Sequence, residues 1–142
     1  MKENFSERVQ SIIKQSKEEA IELGHSYVGS EHILLGLLKI NSGKGKKILK
    51  MFNVDINEMI NSINTRIKTS GGTLNLGHLP LTRRAERILR NSYNEASSRG
   101  DSISDDIHLL LAMLKEPEGI ASRVLKSFSL DYETVSELIF SD

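Results

Sequence analysis

The stretch His25-Ser-Tyr-Val-Gly-Ser-Glu-His-Ile-Leu-Leu-Gly-Leu-Leu-Lys39 returns 76 residues later as Asp101-Ser-Ile-Ser-Asp-Asp-Ile-His-Leu-Leu-Leu-Ala-Met-Leu-Lys115. Working outward at the same offset and without gaps, Phe5 to Ile63 lies on Leu81 to Ile139. Arg8 meets Arg84, Ile12 meets Ile88, Glu19-Ala20 meets Glu95-Ala96, Gly24 meets Gly100, Gly43 meets Gly119 and Phe52 meets Phe128. A fixed period of this kind means one supersecondary unit written twice, so function is sought first on a pseudo-symmetric surface.

Within the quoted stretch, Ile33 to Leu38 and Ile107 to Leu114 are short and apolar on nearly every face, the pattern of a buried helix. Ser30 is the expected cap of the first, Asp105 or Ser104 of the second. Ahead of each runs a longer amphipathic helix. Phe5, Val9, Ile12, Ile13, Ala20 and Leu23 recur at helical spacing between a Ser6 cap and a Gly24 stop, and Leu81, Ala85, Ile88, Leu89 and Ala96 do so between Thr82 and Gly100. A third short helix follows a Gly turn in each copy, with Pro117 expected at a first helical position. A fourth begins at Asp55 or Asp131. Strand signals are few. The expected fold is all-α: two tandem four-helix repeats, about eight helices in all, related by a pseudo-twofold axis. Their bounds are 1–68 and 81–142, joined by a linker at 69–80. That linker holds three Gly and one Pro but no Asp, Glu, Lys or Arg, and its Leu74, Leu76 and Leu79 are too apolar for a free tether.

With 142 residues the chain can bury one shared core, removing roughly 70% of the unfolded surface from water. Nineteen basic and nineteen acidic residues cancel, which removes any global attraction to nucleic acid or anionic lipid. No Cys is present, so disulfides and thiolate metal sites are excluded. The start lacks the apolar core of a signal peptide and no apolar run reaches membrane-spanning length, so the expected address is cytoplasmic.

Gly24-His25 and Val28-Gly-Ser-Glu-His-Ile-Leu-Leu-Gly-Leu37, following Phe5-Ser-Glu-Arg8 and repeated as Leu81-Thr-Arg-Arg-Ala85, resemble the Clp N-terminal repeat. The pair of repeats is similar to the N-terminal domain of a ClpC-type Hsp100 AAA+ unfoldase. The resemblance implies a docking domain that receives adaptor proteins and unfolded or marked substrates for a partner Clp peptidase. It also implies a non-catalytic domain, monomeric when isolated, within a longer hexameric protein that holds the ATP and Mg. The chain has no Gly-x4-Gly-Lys-Ser/Thr, and Gly43-Lys-Gly-Lys-Lys47 lacks the spacing that cradles phosphate. A free-standing Clp-repeat adaptor is the alternative.

Ser6 to Arg8 and Ser30-Glu31 are expected at two helix starts brought near one another. Free N–H donors suit an anion there and the carboxylate suits a guanidinium. Together they could read phosphoarginine, which some ClpC proteins bind at one pocket per repeat; plain helix capping explains the same residues. In copy two Thr82 persists, but Gly29-Ser30 has become Asp105-Asp106 and Glu31 has become Ile107, so at most one such site is expected. His32 and His108 read as structural histidines rather than metal ligands or catalytic bases. A hydrolase built on His32 and Glu31 is disfavoured because neighbours in a helix point apart. Arg83, Arg84, Arg87 and Arg90, and Lys44, Lys46, Lys47 and Lys50, read as solvated faces or a seat for an acidic protein partner rather than nucleic-acid surfaces. Phe5, Leu74, Leu76, Leu79 and Leu81 form the expected apolar docking groove, with core packing as the competing explanation.

Overall fold

The computed structural model describes residues 4–41, 43–67 and 79–140. Eight helices fall within them: α1 (Glu7–Glu22), α2 (Ser30–Lys39), α3 (Lys44–Met51), α4 (Ile56–Arg66), α5 (Arg83–Ser98), α6 (Asp106–Lys115), α7 (Ile120–Ser127) and α8 (Tyr132–Phe140). Each helix from α5 on begins at the 76-residue offset from its counterpart, so the repeat in the sequence is a repeat in space.

Local chemistry sets these boundaries. Ser6 Oγ accepts from Val9 N at 3.1 Å and Thr82 Oγ1 from Ala85 N at 3.0 Å, each satisfying an orphan donor of a helix start. Asp55 and Asp131 cap the fourth helices in the same way, at 3.1 and 2.8 Å. Gly24 and Gly100 end α1 and α5 with φ of 73° and 83°, a region costly for any residue with a Cβ. Two expectations fail. Ser30 does not cap α2; the cap is Gly29, and His32 Nδ1 reaches back to its N–H at 2.9 Å. Pro117 does not open α7, which starts at Ile120 behind Gly119, so the proline shapes the preceding turn instead.

The core sits around α2 and α6, whose Leu34, Leu35, Leu37, Leu109, Leu110 and Leu111 are inaccessible to water. The longer helices lean on these pillars. Gly36 lets α1 approach α2 so closely that a Cβ there would stand 2.6 Å from Ile12 O and from Ser16 Oγ. Lys39 Nζ meets Glu19 Oε1 at 2.8 Å, and Lys115 Nζ meets Glu95 Oε2 at 2.9 Å, tying first helix to second in both copies.

The two copies are stitched together by short pieces of extended backbone. Ser6 N donates to Ser104 O at 2.9 Å and Ser104 N to Asn4 O at 2.7 Å; at the offset positions Thr82 N donates to Val28 O at 2.9 Å and Val28 N to Pro80 O at 2.8 Å. These are two isolated parallel bridges, Phe5 with Ser104 and Leu81 with Val28, that exchange under the pseudo-twofold. The start of each repeat's first helix is thereby pinned to the start of the other repeat's second helix.

Candidate functional site

That crosswise stitching corrects the expectation that Ser6 to Arg8 would lie beside Ser30-Glu31. Ser6 and Arg8 face Asp105 and Asp106, while Thr82 and Arg84 face Ser30 and Glu31. The sequence could not show this, because both helix starts carry the same kind of cap and neither states which copy it meets. Two pseudo-equivalent sites result, each shared by both repeats.

The first is an open cavity of about 410 Å³ where the starts of α5, α2 and α7 converge. Gly29, Ser30, Thr82 and Gly119 contribute the helix-start backbone, and Tyr27, Glu31, Arg84 and Arg123 the functional side chains. Glu31 is only 8% exposed, and its carboxylate makes no hydrogen bond or ion pair among the described residues. It folds back over Gly29, where a Cβ would stand 2.5 Å from Glu31 Oε1, so the cap must be glycine for this acid to lie there. Its charge lies near Tyr27, whose phenol is pushed above its ordinary range by burial first and by Glu31 second.

Arg84 crosses the cavity from α5. Its guanidinium is loosely flanked by Glu116 Oε1 at 3.8 Å and Glu118 Oε2 at 3.6 Å, and its Nε is buried without a hydrogen-bond partner among the described residues. Glu116 is instead gripped by Arg87, through bonds of 2.9 and 2.7 Å. A Cβ at Gly119 would stand 2.7 Å from Arg84 Cδ and 3.3 Å from Ser30 Oγ, so Gly119 leaves room for the arginine. A cavity lined by three helix starts, two arginines and a buried carboxylate can hold a ligand that carries both charges. Sequence reading missed Arg84, Gly119 and Tyr27 as members of this site. The signal was present in the repeat, where Arg84 matches Arg8 and Gly119 matches Gly43.

The second site uses the starts of α1, α6 and α3, and the chain fills it. Ser6 Oγ donates to Asp105 Oδ1 at 2.9 Å, and Arg8 Nη1 donates to both Asp105 oxygens at 3.1 and 3.0 Å. Gly45 N, in the first turn of α3, donates to Asp106 Oδ2 at 2.7 Å. Burial opposes ionisation of Asp105, but the Asp106 amide, Ser6 and Arg8 outweigh it and hold the carboxyl below its ordinary range. Asp106 lies above its ordinary range: burial and the Asp105 charge exceed what Gly45 and Arg8 supply.

The histidines are structural. His32 Nδ1 accepts from Gly29 N, so the neutral ring carries its proton on Nε2, facing His25 Nδ1 at 2.7 Å. Burial, then the neighbouring His25, lowers the His32 pKa to about 4. His108 Nδ1 accepts from Asp105 N at 2.9 Å; its pKa is lowered by burial against the pull of Asp101 and three further acids. Of the expected apolar groove, Phe5, Leu79 and Leu81 line a cavity of about 550 Å³ with Ile13, Pro80 and Leu89. Phe5 and Leu79 are themselves mostly core, and Leu74 and Leu76 lie outside the described residues. In the two basic clusters, Arg83, Arg87, Arg90, Lys44, Lys47 and Lys50 are exposed, and Arg87 already serves Glu116. Among the described residues no helix is long and apolar enough to cross a membrane.

Fold and seam together define a class, an all-α domain of two four-helix repeats that share their sites crosswise. The model of the Clp repeat (R) N-terminal domain matches residues 4–128, and the chain belongs to that family. It is 37% identical over 135 residues to an ATP-dependent Clp protease ATP-binding subunit ClpA homolog of Guillardia theta, covering 95% of this chain and 16% of that protein. It is likewise 37% identical over 131 residues to the chloroplastic chaperone protein ClpC1 of Oryza sativa subsp. japonica, covering 92% and 14%. The chain thus spans only 14 to 16% of the length of these relatives. In structure it resembles the Hsp104 N-terminal domain from Candida albicans, with a TM-score of 0.80 at 18% identity over 98% of this chain and 93% of that one. The N-terminal domain of ClpD from Arabidopsis thaliana gives 0.73 at 18% identity over 94% and 90%; at such identities the likeness speaks for the fold.

Proposed function

We propose that this chain is the substrate- and adaptor-docking N-terminal domain of a Clp-type AAA+ protein unfoldase that feeds a partner peptidase. The domain itself is non-catalytic, and ATP and Mg belong to ring modules elsewhere in a longer cytoplasmic protein. The observation that carries the reading is the 37% identity to Clp ATP-binding subunits over nearly the whole chain. Docking of this kind needs only modest affinity, because tethering beside a pore raises the effective concentration of whatever is held.

Within this reading the open cavity takes the mark on a substrate. Ser30, Thr82 and Arg84 receive an anionic group at converging helix starts, Glu31 receives a cationic group, and phosphoarginine unites the two on one side chain. The groove at Phe5, Leu79 and Leu81 is the apolar seat for an adaptor or an unfolded segment. The test is capture of the native polypeptide from its own cells with an antibody to this domain. A product several times longer that hydrolyses ATP and forms rings supports the proposal. A product ending near Asp142 without ATPase activity overturns it and leaves a free-standing adaptor.

A further inference from the structure

The two crosswise sites share one backbone plan, yet only one is open. At the open site the start of α2 reads Gly29-Ser30-Glu31, and at the closed site the start of α6 reads Asp105-Asp106-Ile107. The donors that converge on the closed site are the same in kind: the Ser6 hydroxyl, the Arg8 guanidinium and the Gly45 amide in the first turn of α3. The hydroxyl, Arg8 Nη1 and the amide all end on the chain's own carboxylates, while Arg8 Nε has no hydrogen-bond partner among the described residues. Asp106 is 1% exposed, and its second oxygen, Oδ1, is buried 3.7 Å from Arg8 Nη1 with no hydrogen-bond partner among the described residues. Burying an acceptor with no hydrogen bond is costly, so this oxygen leans on the charge of Arg8 alone. Two adjacent acids at converging helix starts, clamped by one arginine, carry the charge of a bound oxyanion and accept from the donors that would hold one.

We infer that Asp105 and Asp106 are a resident counter-ion pair that occupies, from within the chain, the anion seat of the second inter-repeat site. The domain therefore offers one seat for an external phosphate-bearing group and uses the other as a clasp between its repeats. Arg8 belongs to the clasp, while its counterpart Arg84 remains available, held only at 3.6 to 3.8 Å by Glu116 and Glu118. Ile107, where the open site has Glu31, removes the cation seat as well. The inference deepens the docking proposal by setting how many marks one domain can hold, and it rests on the open cavity being an anion seat only for that count.

The test is amide-resolved NMR of the 142-residue chain titrated with inorganic phosphate. In the native sequence phosphate is expected to shift the amides of Ser30 and Thr82 and to leave Ser6 and Gly45 unmoved; shifts of Ser6 and Gly45 as large as those at the open site overturn the inference. The variant Asp105→Gly with Asp106→Ser copies Gly29-Ser30 into the second repeat. It is expected to gain phosphate-dependent shifts at Ser6 and Gly45, with binding there roughly tenfold or more tighter than in the native chain. A folded variant that gains none overturns the inference. Should that variant fail to fold, Asp106→Asn removes one charge at constant shape. Its melting temperature is expected to rise more with added phosphate than that of the native chain, and an equal rise counts against the clasp. If native Ser30 and Thr82 do not respond while the variant gains its site, the open-cavity reading fails and the clasp stands.

Discussion

The cavity between Thr82 and Glu31 and the clasp between Ser6 and Asp105 start from the same helix ends and finish in opposite states. In the cavity a buried carboxylate and a half-held arginine face open space, whereas in the clasp Ser6, Arg8 Nη1 and the Gly45 amide are each already met by an aspartate. The difference arises from three consecutive residues at the start of one helix in each copy. A duplicated fold can therefore keep its scaffold twice while one of the two matching seams stays open and the other is filled by the chain's own acids.

Four changes would break or sharpen that comparison. The largest effect belongs to Gly36, which stands where the second copy has Ala112. Gly36→Val should cost about 3 kcal/mol or more in urea unfolding, because the 2.6 Å approach to the α1 backbone leaves no room for a side chain. A loss below about 1 kcal/mol would show that α1 and α2 can separate enough to admit a side chain.

Next in size is a pH effect. The His32 pKa is depressed in the folded state, so its stabilising contribution is complete above the ordinary histidine value near 6.5 and falls as the unfolded chain takes up protons down to about pH 4. The loss should approach, at most, about 3 kcal/mol across that window. His32→Asn, whose amide oxygen can still accept from Gly29 N, should flatten the profile measured by thermal melts. His108→Asn should flatten it less, since Asp101 and its neighbours offset burial in the second copy. Equal flattening by both would remove this contrast between repeats.

Third, Arg8→Ala should cost roughly 1–2 kcal/mol at neutral pH, discounted for the partial exposure of Arg8, because it strands two adjacent acids. Arg84→Ala should cost under about 1 kcal/mol, since Arg87 keeps Glu116 neutralised. Chemical denaturation of the pair checks the order, and a reversed order would contradict the closed-and-open contrast. The smallest effect on folding is expected for Glu31→Gln, within about 0.5 kcal/mol, because the carboxylate has no hydrogen bond or ion pair among the described residues to lose. A large loss there would make Glu31 a structural acid.

Much of this could be read before any coordinates. Helix starts and stops were readable because Ser6, Thr82, Asp55, Gly24 and Gly100 act through bonds and torsions within a few residues of themselves, and because two copies agreed. Seam geometry was not, since it depends on two extended dipeptide pairings, Phe5 with Ser104 and Leu81 with Val28, that carry no strand pattern. Ser30 was misread as a cap because a histidine at the third helical position can do for Gly29 what a glutamate does in a capping box. Asn53 and Ser129 take φ of 63° and 64° at matching turns, a conformation that asparagine hints at and serine does not. The buried Glu116 was detectable in principle, as the repeat sets it opposite the apolar Ile40.

The central claim, that one crosswise site is open and the other self-occupied, is tested most directly by calorimetric titration of free phosphoarginine into the native chain and into its Thr82→Ala, Glu31→Gln and Ser6→Ala variants. The account predicts a single site, weakened by Thr82→Ala and by Glu31→Gln and untouched by Ser6→Ala. Two equivalent sites, or binding lost with Ser6 and retained without Thr82, would contradict it.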